Sequence, residues 1–245
     1  MSAEEFVGKV FHPSEDRCHN LTAVILRFVS PYKPLRLLDI GCGTGRQIFE
    51  LAAKLPLSAF DGVDISEENI LAAQSELRYS SYEDRVSFHC AEYMNFSCDP
   101  YDVIISDSVF HLIEARTDTL FTKISNDLNY DGLLIFSIPH DCWFNHLLWM
   151  LRRILRSIRC SLSDFIILSV AKIIHHKTMD VNMLKQRLHY MYILPARVYS
   201  KELRSLLTDS IGMQYITEMQ YHHSSFGQSK HKLIIMKQIK HNWQK

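Results

Sequence analysis

No two of the six cysteines (Cys18, Cys42, Cys90, Cys98, Cys142 and Cys160) stand at CxxC spacing, so neither a redox pair nor a zinc knuckle is encoded. They read as reduced, small hydrophobes. Charge of one sign is also missing. The 27 Lys and Arg balance 27 Asp and Glu, which leaves no overall field to draw the chain to nucleic acid. No apolar run approaches the roughly 18 residues of a spanning helix. The longest, near 143–151 and 165–174, are broken by Asn145, His146, Ser169 and Lys172. Residues 1–17 are polar and acidic where a signal peptide would be cationic and then apolar, so a cytoplasmic location is expected. The eight glycines and seven prolines fall singly at turns, without repeats or low-complexity tracts.

What the chain does have is alternation. From Leu35 onward, short apolar runs swap with segments of helical periodicity, the pattern of parallel βαβ units. Strands are expected at 36–40, 59–64, 86–90, 101–106 and 133–138, each hydrophobic enough to be buried on both faces. Helices are expected at 44–55, 66–79 and 117–129, with Asp131-Gly132 turning the chain into the fifth strand. Ser200 is placed to cap a helix that ends at Gly212, and a hairpin of strands 213–222 and 232–239 follows, joined by His223–Lys230. The expected fold is therefore α/β: a seven-stranded, mostly parallel, doubly wound sheet with an inserted helical cap. Residues 1–34 would form an N-terminal helical segment. Residues 35–140 and 199–245 would form the ligand-binding domain, and 141–198 the helical insertion.

The run Leu38-Asp39-Ile40-Gly41-Cys42-Gly43-Thr44-Gly45-Arg46 ends a strand and opens a helix, which makes it a turn where backbone approaches a ligand. A dinucleotide fingerprint would need glycine at position 46, which is Arg, and no Gly-Lys-Ser/Thr follows for a phosphate loop. Nineteen residues beyond Gly45, Asp64 ends the second strand, where a carboxylate can accept two ribose hydroxyls.

An acidic residue followed by GxGxG resembles motif I of the class I, Rossmann-like S-adenosylmethionine-dependent methyltransferase family, in particular its small-molecule members. The resemblance covers residues 37–140 and 199–239. It implies S-adenosyl-L-methionine as the cofactor, with Asp39 near its amino group and Gly41, Gly43 and Gly45 letting its methionine part lie close. Asp64, with Ile65 beside it, would serve the ribose. Glu92, where the family usually has Asp, would accept from the adenine amino group, with Tyr93 packing alongside and Ser106 at the end of the fourth strand. No Asn/Asp-Pro-Pro-Tyr/Phe follows that strand, which argues against methylation of DNA bases or glutamine.

Methyl transfer needs an aligned nucleophile more than covalent machinery. His111 and His140 follow strands four and five on the ligand-bearing edge and are the two candidates for a general base. Each is weighed against a packing role. The pairs His175-His176 and His222-His223 lack a third ligand at metal spacing, so no metal site is expected. His12, Arg17 and Tyr32 belong to the N-terminal segment, which in the family often closes over the cofactor.

In the insertion, Phe144, Leu147, Leu148, Leu151, Ile154, Leu155 and Ile158 make one apolar stripe, expected to line the acceptor pocket. A second run, Asp164 to Ile174, is apolar on most sides and expected to be largely buried. Between Arg152 and Lys177 six basic residues face one acid, Asp164; they would attract an anionic substrate or a membrane surface, or form a solvated face. The favoured partner is a small organic acceptor methylated on O, N or C, with no nucleic acid. The alternatives are a protein that binds the cofactor without methyl transfer and a peripheral-membrane lipid or quinone methyltransferase.

Overall fold

The computed structural model describes residues 15–174, 184, 188, 192–221 and 228–239. His12 and the His175-His176 and His222-His223 pairs lie outside them.

Seven strands form one sheet: β1 (Arg36–Ile40), β2 (Ala59–Asp64), β3 (Val86–Cys90), β4 (Tyr101–Asp107), β5 (Leu128–Pro139), β6 (Met213–Tyr221) and β7 (His231–Gln238). Their order is β3-β2-β1-β4-β5-β7-β6. The first five run parallel and β7 pairs antiparallel with both β5 and β6. The helices are α1 (Glu15–Ile25), α2 (Arg46–Lys54), α3 (Glu67–Leu77), α4 (Thr117–Asn126), α5 (Trp143–Ser157), α6 (Ser161–Ile174) and α7 (Lys201–Ser205).

The central strands are apolar on both faces because both are covered. On one face Leu37, Val103 and Ile135 pack with Leu21 and Ile25 of α1 and Ile48 and Leu51 of α2. On the other, Leu38, Ile104 and Phe136 pack with Leu120, Phe121 and Ile124 of α4 and Leu207. Ser66 caps α3 by accepting from the Asn69 amide at 3.3 Å, with Glu67 and Glu68 in the positively polarised first turn. Ser200 caps α7 through the Leu203 amide at 3.3 Å.

Two elements differ most from the sequence pattern, and the helix expected at 117–129 ends at Asn126. β5 begins at Leu128 rather than Leu133, because Leu128 pairs with Tyr101 before the register shifts, and Asp131 absorbs the irregularity at φ 65°. Asp tolerates that left-handed region better than most residues. The single helix expected after Ser200 is a short α-turn followed by a π-turn over Leu206–Ser210, which lets both Leu203 and Leu207 reach the core.

The insertion departs further. The insertion's α5 buries Asn145, Leu148 and Arg152, while most of its apolar stripe faces outward. Contrary to the reading of 164–174 as largely buried, Phe165, Ile166, Val170 and Ile173 of α6 are exposed. A helix apolar on most sides is buried only where a second surface packs on it.

Candidate functional site

Strand order reverses between β1 and β4, and the crevice at the carboxyl ends of such strands is where open α/β sheets hold ligands. Residues 41–45 enter it from β1. Gly41 and Gly45 take φ of 77° and 79°, and a Cβ on Gly45 would lie 2.5 Å from the Phe88 ring, one on Gly41 2.3 Å from Val109. The turn is pressed between β3 and the segment after β4, leaving no room for a side chain. Gly45→Ala is accordingly expected to cost about 1–3 kcal/mol through left-handed strain alone, before the clash is counted. Thermal denaturation reads the loss, and an unchanged midpoint would show that the turn is not packed this way.

Asp64 fastens the turn to β2. Its carboxylate accepts the Gly43 amide at 2.8 Å, the Ser66 amide at 2.9 Å and Asn69 Nδ2 at 3.2 Å. Asp39 is buried in β1, and burial, then the negative charges of Asp107 and Asp64, push its pKa up to about 8. Three adjacent strands thus end in carboxylates converging on one point, with Asp39 mostly protonated at neutral pH.

Asp107 has its own cation. Arg17, on α1, donates to it through Nε at 2.5 Å and Nη2 at 2.7 Å, and Ser137 Oγ donates at 2.5 Å. Burial opposes the Arg17 charge, but Asp107 more than offsets it and the pKa of Arg17 is raised. The next residue, Ser108, sits at φ 63°, and its Oγ lies 2.9 Å from His231 Nδ1. The His231 ring meets the His111 ring edge to face at 5.3 Å. β7 therefore brings His231 into the site beside His111, a contact between residues 120 positions apart that no local pattern signals.

The other sequence candidates are placed as follows. His140 is buried, and its Nδ1 lies 3.0 Å from the Lys230 carbonyl oxygen. A carbonyl only accepts, so Nδ1 carries the proton and Nε2 presents a lone pair. Burial, with the Lys232 and Lys230 charges, lowers the His140 pKa and keeps the ring neutral at physiological pH. Glu92 caps a short 3₁₀ turn beyond β3 and accepts from Asn95 Nδ2 at 3.3 Å. Ile65 follows Asp64 and is half-buried. Tyr93 lies in the core and gives its hydroxyl to Asp127 at 2.7 Å, and Ser106 gives its hydroxyl to the Ile40 carbonyl at 3.1 Å. Both hydroxyls are engaged within the fold. Of the N-terminal candidates, Arg17 reaches the strand ends and Tyr32 is solvent-exposed. Among the described residues no cluster of His, Cys, Asp or Glu could hold a metal ion.

The segment after β4 is held in place from the insertion's far end. Arg197, buried, donates to the carbonyls of Phe110, Ile113 and Ala115, and the Ala196 amide donates to the His111 carbonyl at 2.9 Å.

Residues 32–207 match the family described as "Methyltransferase domain". A malonyl-[acyl-carrier protein] O-methyltransferase of Bacillus cereus is 31% identical over 120 residues, an alignment covering 49% of this chain and 43% of the relative. The match thus spans less than half the length of that relative. Among solved structures, a Burkholderia thailandensis 1,6-didemethyltoxoflavin-N1-methyltransferase with bound S-adenosylhomocysteine superposes with a TM-score of 0.61 at 11% identity, over 93% of this chain and 80% of that one. The N-methyltransferase NodS of Bradyrhizobium japonicum, also with S-adenosylhomocysteine, superposes at 0.57 and 15% identity, over 92% and 87%. At such identities the likeness is one of fold.

Proposed function

The chain belongs to the methyltransferase-domain family, and on that premise we propose that it is an S-adenosylmethionine-dependent methyltransferase acting on a small organic acceptor. The observation that carries this reading is the convergence of Asp39, Asp64 and Asp107 on the glycine turn, with Asp39 pushed up to about 8. Asp39 is buried beside the half-buried Asp64 and Asp107 and is held against ionisation by them, so positive charge relieves it and the donor set fits a ligand with an ammonium and a sulfonium centre better than one with phosphates. Asp64 would hold the ribose hydroxyls, Asp39 the amino group, and the turn at Gly41–Gly45 would let the ligand approach the backbone. When bound, S-adenosylmethionine supplies a methyl group made electrophilic by its sulfonium.

The chain's own contribution is then alignment, exclusion of water and, for an acceptor with an acidic O–H or N–H, removal of a proton. His140 Nε2 is the base we assign. Its neutral state and fixed tautomer suit it to accept a proton without prior deprotonation. α1, tied to β4 by Arg17 and Asp107, would close the site on one side.

Labelled-methyl S-adenosylmethionine, incubated with the protein and a panel of phenols, carboxylic acids and amines, tests the proposal. Label is expected in at least one acceptor. His140→Phe should then lower kcat by about 10²-fold or more at unchanged cofactor affinity. A protein that binds the cofactor and labels nothing in the panel would favour the binding-only alternative.

A further inference from the structure

The insertion's α5 is turned inside out with respect to an ordinary surface helix. On α5 the buried side carries Asn145 and Arg152, whereas Trp143 is 74%, Leu147 53% and Ile154 51% exposed. Positions 143, 147, 150, 151, 154 and 158 recur at helical spacing and make one continuous apolar face. On α6, Phe165 is 67% and Ile173 75% exposed. Polar anchoring explains why the apolar side of α5 faces outward. Asn145 donates through Nδ2 to the carbonyls of His140 at 2.7 Å and Lys230 at 2.8 Å and accepts the Lys230 amide at 2.7 Å, Trp149 Nε1 donates to Ser229 Oγ, and Arg152 donates to the Ile193 carbonyl. The helix is thus fixed to the start of β7 by its polar side.

By helical spacing Arg153 borders the apolar face and Arg156 lies on the opposite side of α5. Arg153, Arg156, Arg159 and Lys172 are exposed, and among the described residues neither Arg153 nor Arg156 is in an ion pair. Arg159 stacks on Tyr192, whose hydroxyl donates to the one nearby acid of these helices, Asp164. No helix of the described residues is long and apolar enough to cross a membrane.

We propose that α5 and α6 dock the protein on an anionic lipid bilayer, with Trp143, Leu147, Ile154 and Phe165 entering the headgroup boundary and Arg153 meeting lipid phosphates. A tryptophan and aliphatic face with arginine on the helix's other sides is the composition of helices that lie in such an interface. Charge favours the bilayer over a second copy of the chain. A twofold contact through this face would set the basic residues against themselves, while an anionic surface complements them. The docking does not depend on the methyl-transfer reading. It places the carboxyl edge of the sheet, from which α5 departs, next to the membrane.

Co-sedimentation of the full chain with vesicles tests this directly. Phosphatidylcholine vesicles carrying phosphatidylglycerol are expected to bind the protein at least about tenfold more tightly than phosphatidylcholine alone, with the difference lost at high salt. Leu147→Glu with Ile154→Glu should abolish binding, and Arg153→Glu with Arg156→Glu should reduce it to the neutral-vesicle level. These side chains are exposed, so thermal midpoints should not move. Absence of binding to anionic vesicles, or equal binding to both kinds, would overturn the proposal. So would a lipid-free dimer in sedimentation equilibrium that Leu147→Glu with Ile154→Glu dissociates.

Discussion

Asp64→Ala is expected to weaken S-adenosylhomocysteine binding by at least about 1–3 kcal/mol, roughly five- to hundredfold, in a protein that still folds. Two losses combine. The proposed ribose hydroxyls are left without their acceptor, and the Gly43 amide, held at 2.8 Å by the same carboxylate, is released from β2. Asp64→Asn separates them, because an amide oxygen can still accept from Gly43 but carries no charge and offers one acceptor atom rather than two. Calorimetric titration should rank wild type above Asn and Asn above Ala. Equal affinities in folded variants would take Asp64 out of the ribose site.

Asp39→Asn is expected to stabilise the ligand-free protein at neutral pH while weakening the cofactor site. Asp39 has an ordinary pKa of 3.8 and a folded value of about 8. Between these values the folded state binds more protons than the unfolded one, so the Asp39 contribution to stability falls as pH rises from about 4 to 8. Asn mimics the protonated acid and escapes this loss. The variant's advantage should be nearly absent at pH 4 and grow to about 5 kcal/mol by pH 8. Denaturant titrations at a series of pH values check this, and a variant less stable than wild type at pH 8 would mean that Asp39 is satisfied where it lies. A site residue held against its own preference is what stability given up for binding looks like.

The parallel half of the fold was readable because the central strands β1 and β4 are apolar and buried on both faces, although β3, at the sheet edge, leaves Ser87 and Cys90 exposed where burial on both faces was expected, while Ser66 and Ser200 mark helix starts by local capping. Asp64 was readable for a related reason: its distance from Gly45 is set by the length of one βαβ unit. Arg17–Asp107 and Ser108–His231 were not, since each joins residues 90 or more positions apart and depends on α1 and on the antiparallel β7 arriving at the same strand ends. Tyr93 and Ser106 looked available by position. Their hydroxyls are engaged by Asp127 and the Ile40 carbonyl, partners that become neighbours only once α4 and β1 are in place. The stripe of α5 was correctly periodic, yet periodicity says which residues share a face and not which way it points. Asn145 and Arg152 decided that through hydrogen bonds to residues 193 and 230.

Proton-linked calorimetry reads whether the converging carboxylates form the site of S-adenosylmethionine. A cationic ligand favours ionised Asp39, so below pH 8 binding must expel its proton. Titration at pH 7 in two buffers of different ionisation enthalpy is expected to show release of close to one proton, with affinity rising toward pH 8 and both effects absent in Asp39→Asn. Failure to bind S-adenosylmethionine, or binding with no proton release and no change in Asp39→Asn, would contradict the account.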